Sequence, residues 1–246
     1  MSSPLEVSLE DRVLHLVLNR PEKKNALSAE LCHMLIEALE SANEDEAVGS
    51  ILLQSRGDVF CSGMDLMEAS ADNTVVHERL FTVGLSARKP IVAAVGGHAL
   101  GGGLGLVANA HIAIAAQGCS FGLTEIRVGM WPYVIWRSIV AAIGERRTTA
   151  LALTGRIFSV NEALQWGLVH EVAPAFEMEE RALATAIHLA QSSAQAIRLG
   201  LDYVRESRGL PSEVSGELAQ TFRKRSFESS DYLEAVAAFR EKRVRS

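Results

Sequence analysis

Between Lys89 and Asn109 the chain reads KPIVAAVGGHALGGGLGLVAN, a stretch that restricts the possible folds more than any other. The apolar residues Ile91, Val92 and Val95 are β-branched and predict a buried strand. Five glycines follow from Gly96 to Gly103, and then Leu104, Leu106, Val107 and Ala108 predict the start of a helix. The first N–H groups of such a helix have no partner within it, and the aligned peptide dipoles add partial positive charge there. Gly101, Gly102 and Gly103 have no side chains to keep a ligand oxygen away from those donors. A glycine turn that only packs a helix onto a sheet fits the same letters, so the residues alone leave both readings open.

The preceding segments prepare the same pattern. Val13 to Leu18 predicts a strand, which Asn19-Arg20-Pro21 interrupts. Ser28 suits a helix N-cap, with Glu30 in the first turn and Leu31, Met34, Leu35, Ala38, Leu39 and Ala42 along one face. A short buried strand at Ile51 to Leu53 leads into FCSGMDL (60–66), with Gly63 at a second strand-to-helix turn. A further strand is expected at 112–115. The repeated unit is β-β-α. After about residue 138 the chain reads as helical. Ser159 and Glu162 form a capping box, Gly167 is a stop, and amphipathic segments cover roughly 177–193, 195–206, 212–227 and 230–243. The expected division is a core over 1–190 and a helical C-terminal region over 191–246.

A chain of 246 residues that is 48% hydrophobic can bury a core of this size. Its net charge of −6 argues against a nucleic-acid or anionic-membrane surface. Cys32, Cys61 and Cys119 lack paired or metal-ligand spacing, which points to a reducing compartment and no metal. With no signal peptide and no apolar run of membrane-spanning length, the expected location is cytoplasmic.

Five blocks, NRPEKKNALS (19–28), FCSGMDL (60–66), KPIVAAVGGHALGGG (89–103), FGLTEIRVG (121–129) and AAFREKR (237–243), together resemble the crotonase, or enoyl-CoA hydratase/isomerase, superfamily. They occur in the family's order and extend over nearly the whole chain. The resemblance implies an α/β crotonase-like spiral of β-β-α units with a helical C-terminal region. It also implies a homotrimer or dimer of trimers, an acyl-CoA thioester as substrate, and no cofactor beyond the coenzyme A the substrate carries. Two backbone N–H groups, from Met64 and Gly102, would hold the thioester oxygen, with Ser62, Gly63, Asp65, Leu66 and Gly101 around them. Lys24, Asn25, Ala26 and Leu27 match the CoA-binding loop, and Phe239 and Lys242 match residues that reach a neighbouring subunit's CoA. Proton removal beside a thioester puts negative charge on its oxygen, so preorganised donors at that point are chemically required.

The chain departs from the family pattern at its carboxylates. Hydratases of the family carry one glutamate two positions after the GGG turn, where this chain has Gly105, and a second one that matches Glu125. Concerted hydration uses two carboxylates to handle water. A double-bond shift can use one, which resembles the Δ3,Δ2-enoyl-CoA isomerases, so isomerase chemistry is expected first and hydratase chemistry second. The segment Gly129-Met130-Trp131-Pro132-Tyr133 replaces the glycine-rich continuation of many hydratases, and its bulk, Trp131 above all, could reshape the acyl pocket. No acid occurs over 126–144 to supply a second carboxylate. Asp65 is expected to be structural and His98 to be a packing residue. Glu68 and Glu78 are reserve candidates for a base.

Other classes fit less well. Gly103-x-Gly105-x-x-Ala108 matches a permissive dinucleotide motif, but it does not directly follow its strand, and no ribose-binding acid ends the next strand. An RNA-binding role would need a basic patch, for which Arg223-Lys224-Arg225 and Arg240 to Arg245 are the only candidates. An acyl-CoA hydrolase or other nucleophile-based relative would want an activated Ser, Cys or Asp, and no G-x-S-x-G motif is present.

Overall fold

The computed structural model describes residues 3–68 and 74–244, with side chains to residue 241. In chain order the elements are β1 (Leu5–Glu10), β2 (Val13–Leu18), α1 (Ala29–Glu44), β3 (Ser50–Ser55), β4 (Val59–Cys61), α2 (Thr74–Leu85), β5 (Ile91–Val95), β6 (His98–Leu100), α3 (Gly102–Asn109), β7 (Ile112–Ala116) and β8 (Ser120–Gly122). They continue with α4 (Trp136–Ile143), α5 (Glu145–Thr154), β9 (Ile157–Ser159), α6 (Val160–Trp166), β10 (Glu171–Ala173), α7 (Ala175–Ala190), α8 (Ala194–Ser207), α9 (Ser212–Phe227) and α10 (Ser230–Val244). The chain divides into two compact units, Met1–Ala190 and Gln191–Ser246. The second unit consists of α8, α9 and α10, with Tyr203 against Phe222 and Phe227 against Tyr232 as its aromatic contacts.

Two sheets organise the first unit. A six-stranded sheet has the order β1-β2-β3-β5-β7-β10, parallel except for the antiparallel β1 edge. A four-stranded sheet has the order β4-β6-β8-β9, with β9 antiparallel. In each successive β-β-α repeat the first strand (β3, β5) joins the large sheet and the second (β4, β6) joins the small one. The crossing from β5 to β6 passes through Gly96-Gly97, where a Cβ on Gly97 would stand 2.2 Å from the Asp58 carbonyl oxygen.

Central strands are buried on both faces, so they read as continuous apolar runs: all five residues of β5 are buried. Across them lies α7, whose small residues Ala182, Ala186 and Ala190 allow close approach. The Ser50 hydroxyl donates to the Ala186 carbonyl at 2.8 Å there. Helix α1 turns Leu31, Leu35, Ile36 and Leu39 into the core. Ser28 caps it by accepting the Leu31 N–H at 3.2 Å, and Ser159 and Glu162 form the expected capping box on α6.

The structure adds strands where the sequence predicts none. β1 alternates Leu5, Val7 and Leu9 with Glu6, Ser8 and Glu10, a local strand signal, although Val7 and Leu9 are exposed on this edge strand; β9 and β10 are three residues each. Helix α2 begins just after the undescribed segment 69–73.

Candidate active site

Strands β4, β6 and β8 are parallel neighbours, so their C-terminal ends emerge side by side. This brings together three loops far apart in sequence: Ser62-Gly63-Met64 after β4, Gly101-Gly102 after β6, and Thr124-Glu125 after β8. Ligands of parallel sheets commonly bind at such ends. A cavity of about 230 Å³ opens there, lined by residues from all three loops, by one face of α2, by Val128 and by Met130 to Ile135.

Each donor is held by a distinct local arrangement. Leu27 and Met64 form an isolated parallel bridge. In it the Leu27 N–H donates to the Gly63 carbonyl at 2.8 Å, and the Asp65 N–H donates to the Leu27 carbonyl at 3.1 Å. A parallel bridge takes up the groups of the two residues flanking its partner, so Met64's own N–H is left pointing away from Leu27. Gly102 opens α3, where an N–H has no acceptor inside the helix. Among the described hydrogen bonds neither Met64 N–H nor Gly102 N–H has an acceptor.

Glycine is required where these loops meet. Gly63 (φ +98°) and Gly101 (φ +51°) adopt backbone conformations that disfavour side chains, and a Cβ on Gly63 would lie 3.3 Å from the Gly102 nitrogen. A Cβ on Gly103 would stand 2.2 Å from the Cys61 carbonyl oxygen, so α3 begins in direct contact with the end of β4.

Glu125 begins a 3₁₀ turn (Glu125–Val128) that Gly129 closes in the left-handed conformation, and its carbonyl accepts the Met130 N–H at 3.0 Å. The carboxyl reaches the glycine loop: a Cβ built on Gly101 would be 3.1 Å from Glu125 Oε1. Oε2 is buried without a hydrogen-bond partner among the described residues. Loss of solvent raises the Glu125 pKa above the usual glutamate range, partly opposed by a hydrogen bond from its own backbone. Among the described residues lining the cavity, Glu125 is the one carboxylate.

Several residues singled out in the sequence line the cavity with it: Leu27, Ser62, Gly63, Met64, Leu66, Gly101, Gly102 and Trp131. Trp131 packs beside Trp136 at a centroid separation of 5.4 Å. Others lie elsewhere. Gly105 does not line the cavity: a Cβ there would be 2.4 Å from Ile135 Cγ2 and 2.7 Å from Phe81 Cε1, two side chains of the cavity wall that stand between position 105 and the open space. Asp65 is not a lining residue either; its carboxylate pairs with Arg20 at 3.1 Å, and Arg20 also donates to the Ala26 carbonyl. Asn25, fully buried with φ +52°, accepts the Arg20 N–H and donates to the Arg56 and Val59 carbonyls. It shapes the loop from within, while Ala26 is buried and Lys24 exposed.

The reserve candidates Glu68 and Glu78, and His98, read from the sequence as a packing residue, do not line the cavity either. Glu68 accepts the Ala29 N–H at the start of α1, Glu78 is exposed on α2, and His98 is exposed and paired with Ser120 at 2.9 Å rather than packed. Phe239 lies on α10 of the second unit and is 62% exposed, and the Lys242 side chain lies outside the described residues.

The lining residues that sequence reasoning misses come mainly from α2 and the turn before α4: Thr74, His77, Phe81, Thr124, Val134 and Ile135. His77 and Phe81 are four residues apart and so share a helix face, the one signal in the sequence that pairs them.

The described residues contain no His/Cys/Asp/Glu cluster able to hold a metal and no helix long and apolar enough to cross a membrane. The cavity is mostly apolar and brings together two backbone N–H groups that have no acceptor among the described hydrogen bonds, Met64 and Gly102, and one carboxylate of raised pKa, Glu125. The profile of the family described as "Enoyl-CoA hydratase/isomerase" matches residues 8–245. A Mycobacterium bovis protein named a probable enoyl-CoA hydratase is 34% identical, with 97% of this chain and 95% of that one covered. The Escherichia coli 2,3-dehydroadipyl-CoA hydratase is 29% identical over 98% of this chain and 97% of its own. The crystal structure of an enoyl-CoA hydratase from Mycobacterium smegmatis superimposes with a TM-score of 0.93 at 26% identity, covering 98% of this chain and 97% of that one. The crotonase fold expected from the motifs is therefore the fold observed, and the chain belongs to the enoyl-CoA hydratase/isomerase family.

Proposed function

We propose that the protein acts on acyl-CoA thioesters and moves a carbon–carbon double bond with Glu125 as its only base. The thioester oxygen sits between Met64 N–H and Gly102 N–H. Ionised Glu125 removes a proton from C2 of a 3-enoyl thioester, and the freed electron pair is delocalised onto the oxygen that the two donors stabilise. The carboxyl then returns the same proton at C4, so the double bond passes from C3–C4 to C2–C3 with no atom gained or lost. This chemistry requires no cofactor beyond the coenzyme A that the substrate brings. The loop Lys24–Leu27 is the proposed CoA contact, and Phe239 and Lys242 the proposed contact with a neighbour's CoA in a trimer or dimer of trimers.

One observation carries the choice of reaction. Where a second carboxylate would have to project from position 105, Ile135 and Phe81 already fill the space. A water molecule opposite Glu125 would therefore meet apolar surface there. The second reading is hydration of a 2-enoyl-CoA by Glu125 alone, the reaction class that the relatives' names carry. Incubation with 3-hexenoyl-CoA and 2-hexenoyl-CoA in parallel separates the two. The expected result is faster formation of the 2-enoyl product than of any 3-hydroxy product, and the reverse order would overturn the isomerase assignment.

A further inference from the structure

We propose that His77 is a positioning residue that fixes the Met64 donor, acting through the Leu27 carbonyl. The proposal rests on the reading of Met64 N–H as a thioester-oxygen donor. His77 is 7% exposed, lines the cavity, and places Nε2 3.3 Å from the Leu27 carbonyl oxygen. A carbonyl can only accept, so the contact requires the proton on Nε2. The same carbonyl accepts the Asp65 N–H, and the Leu27 N–H holds the Gly63 carbonyl. Leu27 thus grips the chain on both sides of Met64, and His77 grips Leu27.

Helix α2, which carries His77, is itself tied to the second donor. Asn109, the last residue of α3, donates from Nδ2 to the Phe81 carbonyl at 3.1 Å. A Cβ on Gly84 would be 2.4 Å from that nitrogen, so the two helices touch at this point. Gly102 is the first residue of α3. A continuous frame therefore runs from Met64 through Leu27 and His77 to α2, and through Asn109 and α3 to Gly102. It sets the distance between the two N–H groups. Small misplacement of preorganised donors is costly to rate even when both remain present.

His77→Leu removes the donor to Leu27, and His77→Gln returns an amide N–H at a similar reach. With 3-hexenoyl-CoA, His77→Leu is expected to lower kcat by about tenfold or more with little change in KM, and His77→Gln to recover most of the loss. Bound butanoyl-CoA, which cannot react, supplies the second readout: its thioester carbonyl infrared stretch should shift down on binding to the wild type, shift less in His77→Leu, and shift fully in His77→Gln. If His77→Leu does not fold, His77→Asn, whose amide stops short of Leu27, provides the same contrast. Wild-type kcat and a full carbonyl shift in the Leu or Asn variant would overturn the proposal. So would a Gln variant as slow as the Leu variant with the carbonyl shift intact in both, which would make His77 a proton carrier. Absence of a shift in the wild type itself would instead overturn the assignment of the donors, and the His77 role with it.

Discussion

Gly105→Ala tests the reading of the space behind the cavity, because two effects of opposite sign compete there. Gly105 lies inside α3, and alanine in a helix interior is ordinarily favoured over glycine by about 1 kcal/mol. The added methyl, however, would stand 2.4 Å from Ile135 Cγ2, 3.0 Å from Ile135 Cβ and 2.7 Å from Phe81 Cε1. Overpacking of a filled core costs about 1 to 3 kcal/mol, and contact with two buried side chains places this case near the upper end. The expected net effect is a destabilisation of about 2 kcal/mol. Ile135→Ala removes the closest atom and by itself costs about 2 to 5 kcal/mol. The double variant should be more stable than the sum of the two losses predicts, by about 1 kcal/mol or more. Urea unfolding followed by tryptophan fluorescence is well suited, since Trp131, Trp136 and Trp166 all lie in the Met1–Ala190 unit. A Gly105→Ala variant as stable as the wild type, or strictly additive effects, would refute the packing argument. If the packing argument holds, Gly105→Glu alone gains no hydratase activity, because its side chain meets the same obstruction.

Asn25→Ala should destabilise by about 3 kcal/mol or more in the same assay, since it leaves the Arg20 N–H and the Arg56 and Val59 carbonyls without their partner and puts alanine at φ +52°. It should also raise KM for acyl-CoA more than it lowers kcat. Because burial raises the Glu125 pKa, the unfolded chain loses this proton at lower pH than the folded one. Stability from this group is therefore complete below about pH 4.3, the ordinary glutamate value, and declines as pH rises through the raised value. Glu125→Gln should accordingly raise Tm at pH 8 and show a smaller gain at pH 4, and an equal gain at both would contradict the burial argument. For the same reason the acid limb of wild-type kcat should fall at a pH above the ordinary glutamate range.

The fold is legible in the sequence wherever burial is continuous or a cap is local. Val13–Leu18 and Ile91–Val95 read as strands over the same residues the structure assigns, because both are apolar strands inside the large sheet. Ser28, Ser159 with Glu162, and Gly167 read correctly because a capping bond spans only three or four residues. β1 is legible too, since Leu5, Val7 and Leu9 alternate with polar residues, whereas β9 and β10 escape because three residues carry no period. At the site, the motifs identify the loops of Met64, Gly102 and Glu125, whose convergence follows from the order β4-β6-β8. That Ile135 and Phe81 cover Gly105, and that the shared face of His77 and Phe81 on α2 enters the cavity, depend on tertiary packing, which the four-residue spacing alone does not reveal.

The central claim is that a single carboxylate performs the proton transfer, and Glu125→Gln tests it most directly. The amide keeps the side chain's shape and removes its basicity. With 3-hexenoyl-CoA at pH 8, kcat should fall by at least about a hundredfold. Butanoyl-CoA affinity by calorimetry should change little, since the CoA loop and the two N–H donors are untouched. A Gln variant that keeps wild-type turnover would show that Glu125 is not the base.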